Sequence, residues 1–460
     1  MTLHAAKPVG GGPARRRAAP LGAIGSLLAL GVVLAVWGRE LFTGETGPHG
    51  GFDPIARFLL AVSVIVLVCH LVAALLRRFD QPPVVGEILG GLLLGPSVFG
   101  VLWPSGRAWL FPAEVLSTLQ VTAQLGLVTF MFLLGCELRL DQVRAHRKAV
   151  WTTVAGSMGL PFVAGVAAAL AAEGVIAGRF GSTTAYALFF GLAMAITALP
   201  VLARILVDLR IDDTAIGRLA LTCAAVGDGA AWAALTVLLA LTGISGSGSV
   251  AAVMGMAAAF VLVTALCVRP ALAAVVRRCE RTPAGEQLLL PVLAAGAIGF
   301  ASLSQVIGLH PVIGAFLFGV VVPRDSAAVE RISKQLQGFA VTILLPLFFA
   351  GVGLSTSLGL LSGVTPWLLF LGLLLVASVV KFIGAGGGAK LAGMSTVDSL
   401  RIGTLMNCRG VTELVLATIG LQYKLVNELG FTILVLIALV TTAATGPLMQ
   451  LLSRRAGTPG

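Results

Sequence analysis

The chain has 460 residues, 57% of them hydrophobic and 11% charged, with a formal net charge of +11 and a mean hydropathy of +1.00. A soluble domain carries roughly 25% charged residues, so this composition excludes an ordinary soluble enzyme or binding module. The basic excess does not indicate nucleic acid, because Arg and Lys fall in short clusters between apolar runs, where orientation in a membrane requires them.

A hydrocarbon core about 30 Å thick takes about 20 apolar residues per spanning helix. In chain order, a basic tail over 1–19, with Lys7, Arg15, Arg16 and Arg17, precedes fourteen candidate helices. They lie near 20–38, 54–77, 83–103, 114–137, 149–172, 184–206, 214–242, 249–277, 287–305, 309–322, 336–356, 365–390, 399–422 and 427–453, with a short tail over 454–460. The first run is long and no small-residue cleavage site follows it, so it reads as a retained helix and not a signal peptide. Placing the N-terminus in the cytoplasm puts inside Arg77, Arg78, the basic residues of 139–148, Arg210, Arg218, those of 277–281 and 324–334, Lys390, Arg401, Arg454 and Arg455. The outside loops keep little beyond Arg39, Arg107, Arg179 and Lys424. That bias predicts a multi-pass protein of the cytoplasmic membrane with both termini cytoplasmic. The six cysteines (Cys69, Cys136, Cys223, Cys267, Cys279, Cys408) form no CxxC or Cys/His cluster. They read as small buried side chains, with no disulfide, metal site or cofactor expected.

The letters repeat. The third candidate opens PVVGEILGG (83–91) and the tenth PVIGAFLFG (311–319); the fourth ends FLLGCELRL (132–140) and the eleventh FFAGVGLST (348–356). These matches align Gly135 with Gly351 and Leu138 with Leu354, both at an offset of seven helices. An odd offset reverses the direction of crossing, which makes the copies, about 54–242 and 287–453, the inverted-topology repeats of secondary transporters. The same offset pairs the sixth candidate with the thirteenth, and both carry helix-breaking chemistry. AMAITALPVLARIL has Pro200 with Thr197 three residues before it, and LMNCRGVTEL has Asn407 and Gly410 inside. Unwound backbone at that depth is tolerated where it lines a cavity, so the pair marks a binding site.

Asp228 sits in AAVGDGAAW at the middle of the seventh candidate. A charge at the bilayer midplane costs at least about 2.5 to 3.5 kcal/mol on insertion scales, which makes the residue a functional candidate. Gly227 and Gly229 clear side chains from around it. Burial and a neighbouring cation act in opposite directions on a carboxylate's hold on its proton. A group balanced between them can take a proton or a metal cation in turn, as an antiporter requires. Lys381, well inside the twelfth candidate, is the expected partner of Asp228, although a snorkelling lysine would look the same. Arg409 and Glu413 share a helix face at i, i+4 and read first as an internal ion pair stabilising the unwound segment, with gating of access as the alternative. Glu87 lies near a cytoplasmic helix end, where solvation is expected. His70 and His310 read as core or interfacial histidines.

In this order, PPVVGEILGGLLLGPSVFG (82–100), TFMFLLGCELRLD (129–141), TALPVLARIL (197–206), AAVGDGAAW, VVKF (379–382) and NCRGVTELVLATIG (407–420) resemble the signatures of bacterial monovalent cation:proton antiporters, the group that includes Kef-type potassium efflux and sodium/proton exchangers. The resemblance covers about residues 54–452. It implies an all-α polytopic fold of thirteen family helices, to which the helix at 20–38 is an addition. It also implies a dimerisation domain, a mobile core with two crossed broken helices moving as an elevator, and a homodimer. By position it makes Asp228 the residue that binds the proton or the transported Na+ or K+, Thr197 part of the first crossed helix, and Lys381 the basic residue nearby. Where relatives often place Asp, Asn or Gln before that aspartate, this chain has Gly227. A single carboxylate predicts electroneutral one-for-one exchange. No nucleotide-binding regulatory domain is expected after Arg455. The competing readings are a sodium-coupled symporter of an organic anion and a channel or sensor on the same fold. No nucleophile and base pair or HExxH points to an enzyme.

Overall fold

The computed structural model describes residues 53–79, 81–137, 147–179, 182–212, 214–241, 250–323 and 325–455. The candidate helix at 20–38, the N-terminal tail and residues 456–460 lie outside them. The chain is helical almost throughout. In order come α1 (Pro54–Leu76), α2 (Pro83–Leu94), α3 (Ala113–Glu137), α4 (Arg147–Ile176), α5 (Thr183–Ala195), α6 (Leu199–Asp208), α7 (Ala215–Leu241), α8 (Val250–Val263), α9 (Arg269–Cys279), α10 (Pro283–Val306), α11 (Pro311–Val321), α12 (Ala327–Phe339), α13 (Leu345–Ser355), α14 (Val364–Leu391), α15 (Thr396–Met406), α16 (Val411–Gln422) and α17 (Glu428–Arg455). One π-helical turn joins α8 to α9 and another joins α12 to α13.

Each of the thirteen stretches read from residue 54 onward contains a described helix. Among the described residues, ten helical runs are long and apolar enough to cross a bilayer, and α11 is shorter. The remaining two are the interrupted stretches, each divided into two half-helices, α5–α6 and α15–α16. Starts follow from local chemistry. Proline opens α2 and α11, where its missing N–H is no loss. Ser182, Ser326 and Ser395 cap α5, α12 and α15 by accepting from amides of the first turn.

The helices pack as two bundles. In one, α2 lies on α1 and α13, while α11 lies on α10 and α3. In the other, α4 crosses α14, α5 lies on α4 and α15 on α14, and α7 and α17 close against α6 and α16. Every contact in that description has its counterpart seven spans on, so the two copies exchange partners across a pseudo-twofold. The axis passes where Gly156 of α4 and Gly384 of α14 meet, since a Cβ on either would strike the carbonyl oxygen of the other.

The glycine contacts also correct the register of the repeat. A Cβ on Gly135 would meet Phe316 O and Val320 N of α11; on Gly353, Ile88 O and Leu92 N of α2. In the aligned openings of α2 and α11, Ile88 corresponds to Phe316 and Leu92 to Val320. The counterpart of Gly135 is therefore Gly353. Gly351, the partner expected from the letters, faces open space. The expectation of uniformly buried cysteines also fails: Cys69, Cys223 and Cys408 are buried, Cys136 and Cys279 are half-buried, and Cys267 is exposed.

Candidate ion-binding site at the crossed breaks

The two breaks meet inside the second bundle. α5 ends at Ala195, and extended backbone over Ile196 and Ala198 leads into α6. Pro200 is not the break itself. It falls in the first turn of α6, where a helix accepts proline freely. α15 ends at Asn407 as its C-cap, and α16 starts after Gly410. A Cβ on Gly410 would come 2.5 Å from Val201 Cγ2, so the crossing needs a residue without one. The strands of unwound chain hold each other directly: Ala198 N donates to Cys408 O at 3.1 Å, and Thr197 Oγ1 donates to Met406 O at 2.8 Å.

Four half-helix ends converge here, and the charged side chains match their dipoles. Asp228, halfway along α7 and 1% exposed, accepts from Leu199 N at the start of α6 through Oδ2 at 3.3 Å. Its Oδ1 has no partner. The Thr412 hydroxyl of α16 faces the same carboxylate and is likewise buried without a partner, as is Asn407 Oδ1. At the opposite polarity, the last carbonyls of α5 receive two cations. Arg409 donates through Nη1 to Ala193 O at 3.1 Å and through Nη2 to Met194 O at 2.7 Å, and Lys381 Nζ donates to Ala195 O. Arg409 Nη1 also pairs with Glu413 Oε1 at 2.8 Å, with both side chains fully buried.

Lys381 makes no direct ion pair with Asp228, although the charge of each reaches the other. Among the described residues no ion pair joins them, and the ammonium instead satisfies a helix end that would otherwise expose an orphan carbonyl in the bundle. Asp228, Thr197, Lys381, Arg409, Glu413, Asn407 and Gly410 thus share one neighbourhood, with Pro200 at its edge. Glu87 does not belong to it: it is 8% exposed, and not solvated as its place near a helix end suggested. It lines a cavity of about 730 Å3 between α2, α3, α6, α12 and α13. His70 is exposed and bonds Val66 O of its own helix; His310 caps α11. No group of three His, Cys, Asp or Glu able to hold a metal ion occurs among the described residues.

Two residues escaped the sequence reading. Thr412 lies inside the motif NCRGVTELVL, hidden beside the charged Glu413. Thr442 of α17 accepts from Arg409 N at 3.2 Å and donates to Arg409 O, the part at the second break that Asp228 plays at the first. The seven-helix offset, carried one helix further to pair α7 with α17, would have pointed to it.

An oxyanion with one free oxygen, faced by a hydroxyl, offers hard donors of the kind alkali cations take. Comparison with known proteins agrees with that chemistry. The family model described as "Sodium/hydrogen exchanger, transmembrane" matches residues 62–454. The Na(+)/H(+) antiporter NhaS4 of Synechocystis is 35% identical over 86% of this chain and 98% of its own length. Cation/H(+) antiporter 19 of Arabidopsis thaliana is 33% identical over 87% of this chain and 50% of its own. K(+)/H(+) antiporter 1 of Saccharomyces cerevisiae is 29% identical over 88% and 47%. The chain thus spans about half the length of these last two. The solved structure of the sodium proton antiporter MjNhaP1 from Methanocaldococcus jannaschii shares the fold, with a TM-score of 0.66 at 16% identity, over 88% of this chain and all of that one. On the match over 62–454 and the likeness to NhaS4, the chain belongs to the sodium/hydrogen exchanger family of membrane transporters.

Proposed function

We propose that this protein exchanges protons for a monovalent cation, Na+ or K+, by competition at Asp228. The observation that carries the reading is a buried carboxylate at mid-helix with one oxygen fixed by the amide that opens α6 and the other unpartnered. A proton on Oδ1 or a cation shared with Thr412 Oγ1 and Asn407 Oδ1 completes that valence, and each excludes the other. The names of the relatives support the same exchange. A symporter of organic anions would need free donors at the site. Arg409 and Lys381 are instead engaged by the carbonyls of α5, which favours antiport.

The two bundles meet across the 730 Å3 cavity, and alternating access is proposed as movement of the bundle holding Asp228 against the other. On the basic-cluster bias the cavity faces the cytoplasm, both termini are cytoplasmic and the membrane is the cell membrane. The proposed assembly is a homodimer. Cross-linking in native membranes that yields only monomer would refute it. With Gly227 beside Asp228, one carboxylate carries either one proton or one cation, so exchange is proposed to be electroneutral.

Everted vesicles with a pH-gradient dye test the main claim. Wild type should dissipate the gradient on addition of Na+ or K+, and Asp228→Asn should not, while inserting at normal levels. Undiminished exchange in the variant removes Asp228 from its role. A wild-type rate that follows an imposed membrane potential refutes electroneutrality.

A further inference from the structure

The exchange at Asp228 leaves Glu87 without a part. Its place in α2 is set by two close helix contacts: Gly86 lies against Ala73 of α1, and Gly91 against Ala350 of α13. In a close-packed interior these fix the rotation of α2. Glu87 stands one turn before Gly91 on the same face, and with Pro83 and Val84 it lines the cavity that opens where the contact with α13 ends. Glu87 is more than nine-tenths buried. Among the described residues no hydrogen bond or ion pair holds its carboxylate, and Arg77, just after α1, is the cation whose field reaches it.

Folding supplies no reason for such a group, since an unpaired buried charge is destabilising. The repeat makes the same point. At the corresponding position of α11 stands Ala315, fully buried, so this helix contact needs no acid. The carboxylate occurs in the copy that faces the cavity.

The cavity's own charges are arranged to leave Glu87 dominant at depth. Lys334 and Arg204 also line it, but both are exposed, and Lys334 is paired with Glu330 at 2.7 Å. Exposed charges are screened by salt and water, whereas a carboxylate set among Leu133, Leu134 and Phe349 keeps its field. Thr342 and Gln337 add neutral polar groups to the same lining. The cavity reaches Val201 of α6, two residues beyond the Leu199 amide that holds Asp228, or about 3 Å along a helix axis.

We propose that Glu87, in the cavity that Thr342 and Gln337 also line, is a second binding site for the transported monovalent cation, which the ion occupies before reaching Asp228. This rests on the exchange reading above and fails separately from it.

The test is sided transport by Glu87→Gln in vesicles of both orientations. The expected result is a cation KM raised about fivefold or more from the cavity side, with KM from the other side and the maximal rate within about twofold of wild type. Unchanged KM on both sides, or an equal loss on both, overturns the proposal. A second measurement uses purified Asp228→Asn and the infrared difference spectrum on adding Na+ or K+. A carboxylate band should persist and vanish in Asp228→Asn/Glu87→Gln; no band, or the same band in both, overturns it. Loss of the second site with exchange still abolished by Asp228→Asn leaves the Asp228 reading standing. Exchange that survives Asp228→Asn removes that reading instead.

Discussion

Removal of Arg409 tests what holds the crossed breaks together. The guanidinium makes three bonds, to Ala193 O, Met194 O and Glu413 Oε1, and is fully buried. Arg409→Met leaves Glu413 as an unpaired buried charge, a loss of about 3–5 kcal/mol, and frees two carbonyls at about 1–3 kcal/mol each where they stay dry. Glu413→Met leaves the arginine on both carbonyls at the negative end of α5, so its cost should fall at the low end of that range. The double variant removes both charges while the carbonyls stay open. It should therefore be more stable than Arg409→Met alone, and the coupling energy of the pair is the difference between the effect of Glu413→Met in wild type and its effect in Arg409→Met. The assay is the thermal midpoint of detergent-purified protein, followed with a thiol-reactive dye. The buried Cys223 and Cys408 report opening of this bundle, with Cys267 giving a constant background. The expected order of midpoints is wild type, Glu413→Met, the double variant, then Arg409→Met. If Glu413→Met costs as much in the Arg409→Met background as in wild type, the ion pair contributes nothing. If Glu413→Met costs as much as Arg409→Met, the bonds to α5 contribute nothing.

Two further outcomes follow from the same geometry. Thr412→Val removes a buried hydroxyl that faces Asp228 without a hydrogen bond of ordinary length, so the thermal midpoint should move little while the cation KM rises severalfold; an unchanged KM takes Thr412 out of the cation's shell. Gly227→Asp fits, because a Cβ there meets nothing nearer than Met158 Sδ at 3.7 Å. The second carboxylate should make transport respond to an imposed membrane potential, and a potential-independent variant would refute the one-carboxylate account of electroneutrality.

Much of the fold was legible because its signals are one-dimensional. Apolar run length sets the spans, and the spacing of prolines and glycines sets the breaks. Asp228 was legible because a charge in the middle of an apolar helix has few structural explanations. What the letters could not fix depends on rotation about helix axes and on the reach of long side chains. FFAGVGLST offers glycines at 351 and 353, and only the packing of α13 on α2 selects the second. Lys381 was matched to the nearest unpaired carboxylate, but an ammonium satisfies a helix-end carbonyl equally well, and α5 ends within its reach. Pro200 was taken as the breaker because proline ends helices, yet it also starts them, and the chain uses it to start α6. Glu87 was judged by its distance from a helix end, whereas its burial comes from helices packed around α2 that the sequence of α2 does not mention. Cys267 is exposed on a helix whose apolar composition hides which face turns outward.

The repeat is symmetric in packing and asymmetric in charge, and the asymmetry bears on mechanism. At both breaks a side chain from the following long helix reaches the backbone of the unwound segment. On α17 it is Thr442, which donates to Arg409 O and accepts from Arg409 N, using its hydroxyl fully on one residue. On α7 it is Asp228, which accepts one amide and leaves Oδ1 free. A neutral hydroxyl closes one break without adding charge, and the Arg409–Glu413 pair beside it is neutral in sum. Lys381 lies at the negative end of α5, where its charge is opposed by the helix dipole. The charges of the second break are thus balanced within it, whereas the Asp228 carboxylate at the first keeps an unfilled valence. On the proposed reading, that asymmetry confines the exchanged ion to the break at Asp228, with Glu87 holding the cation in the cavity before it.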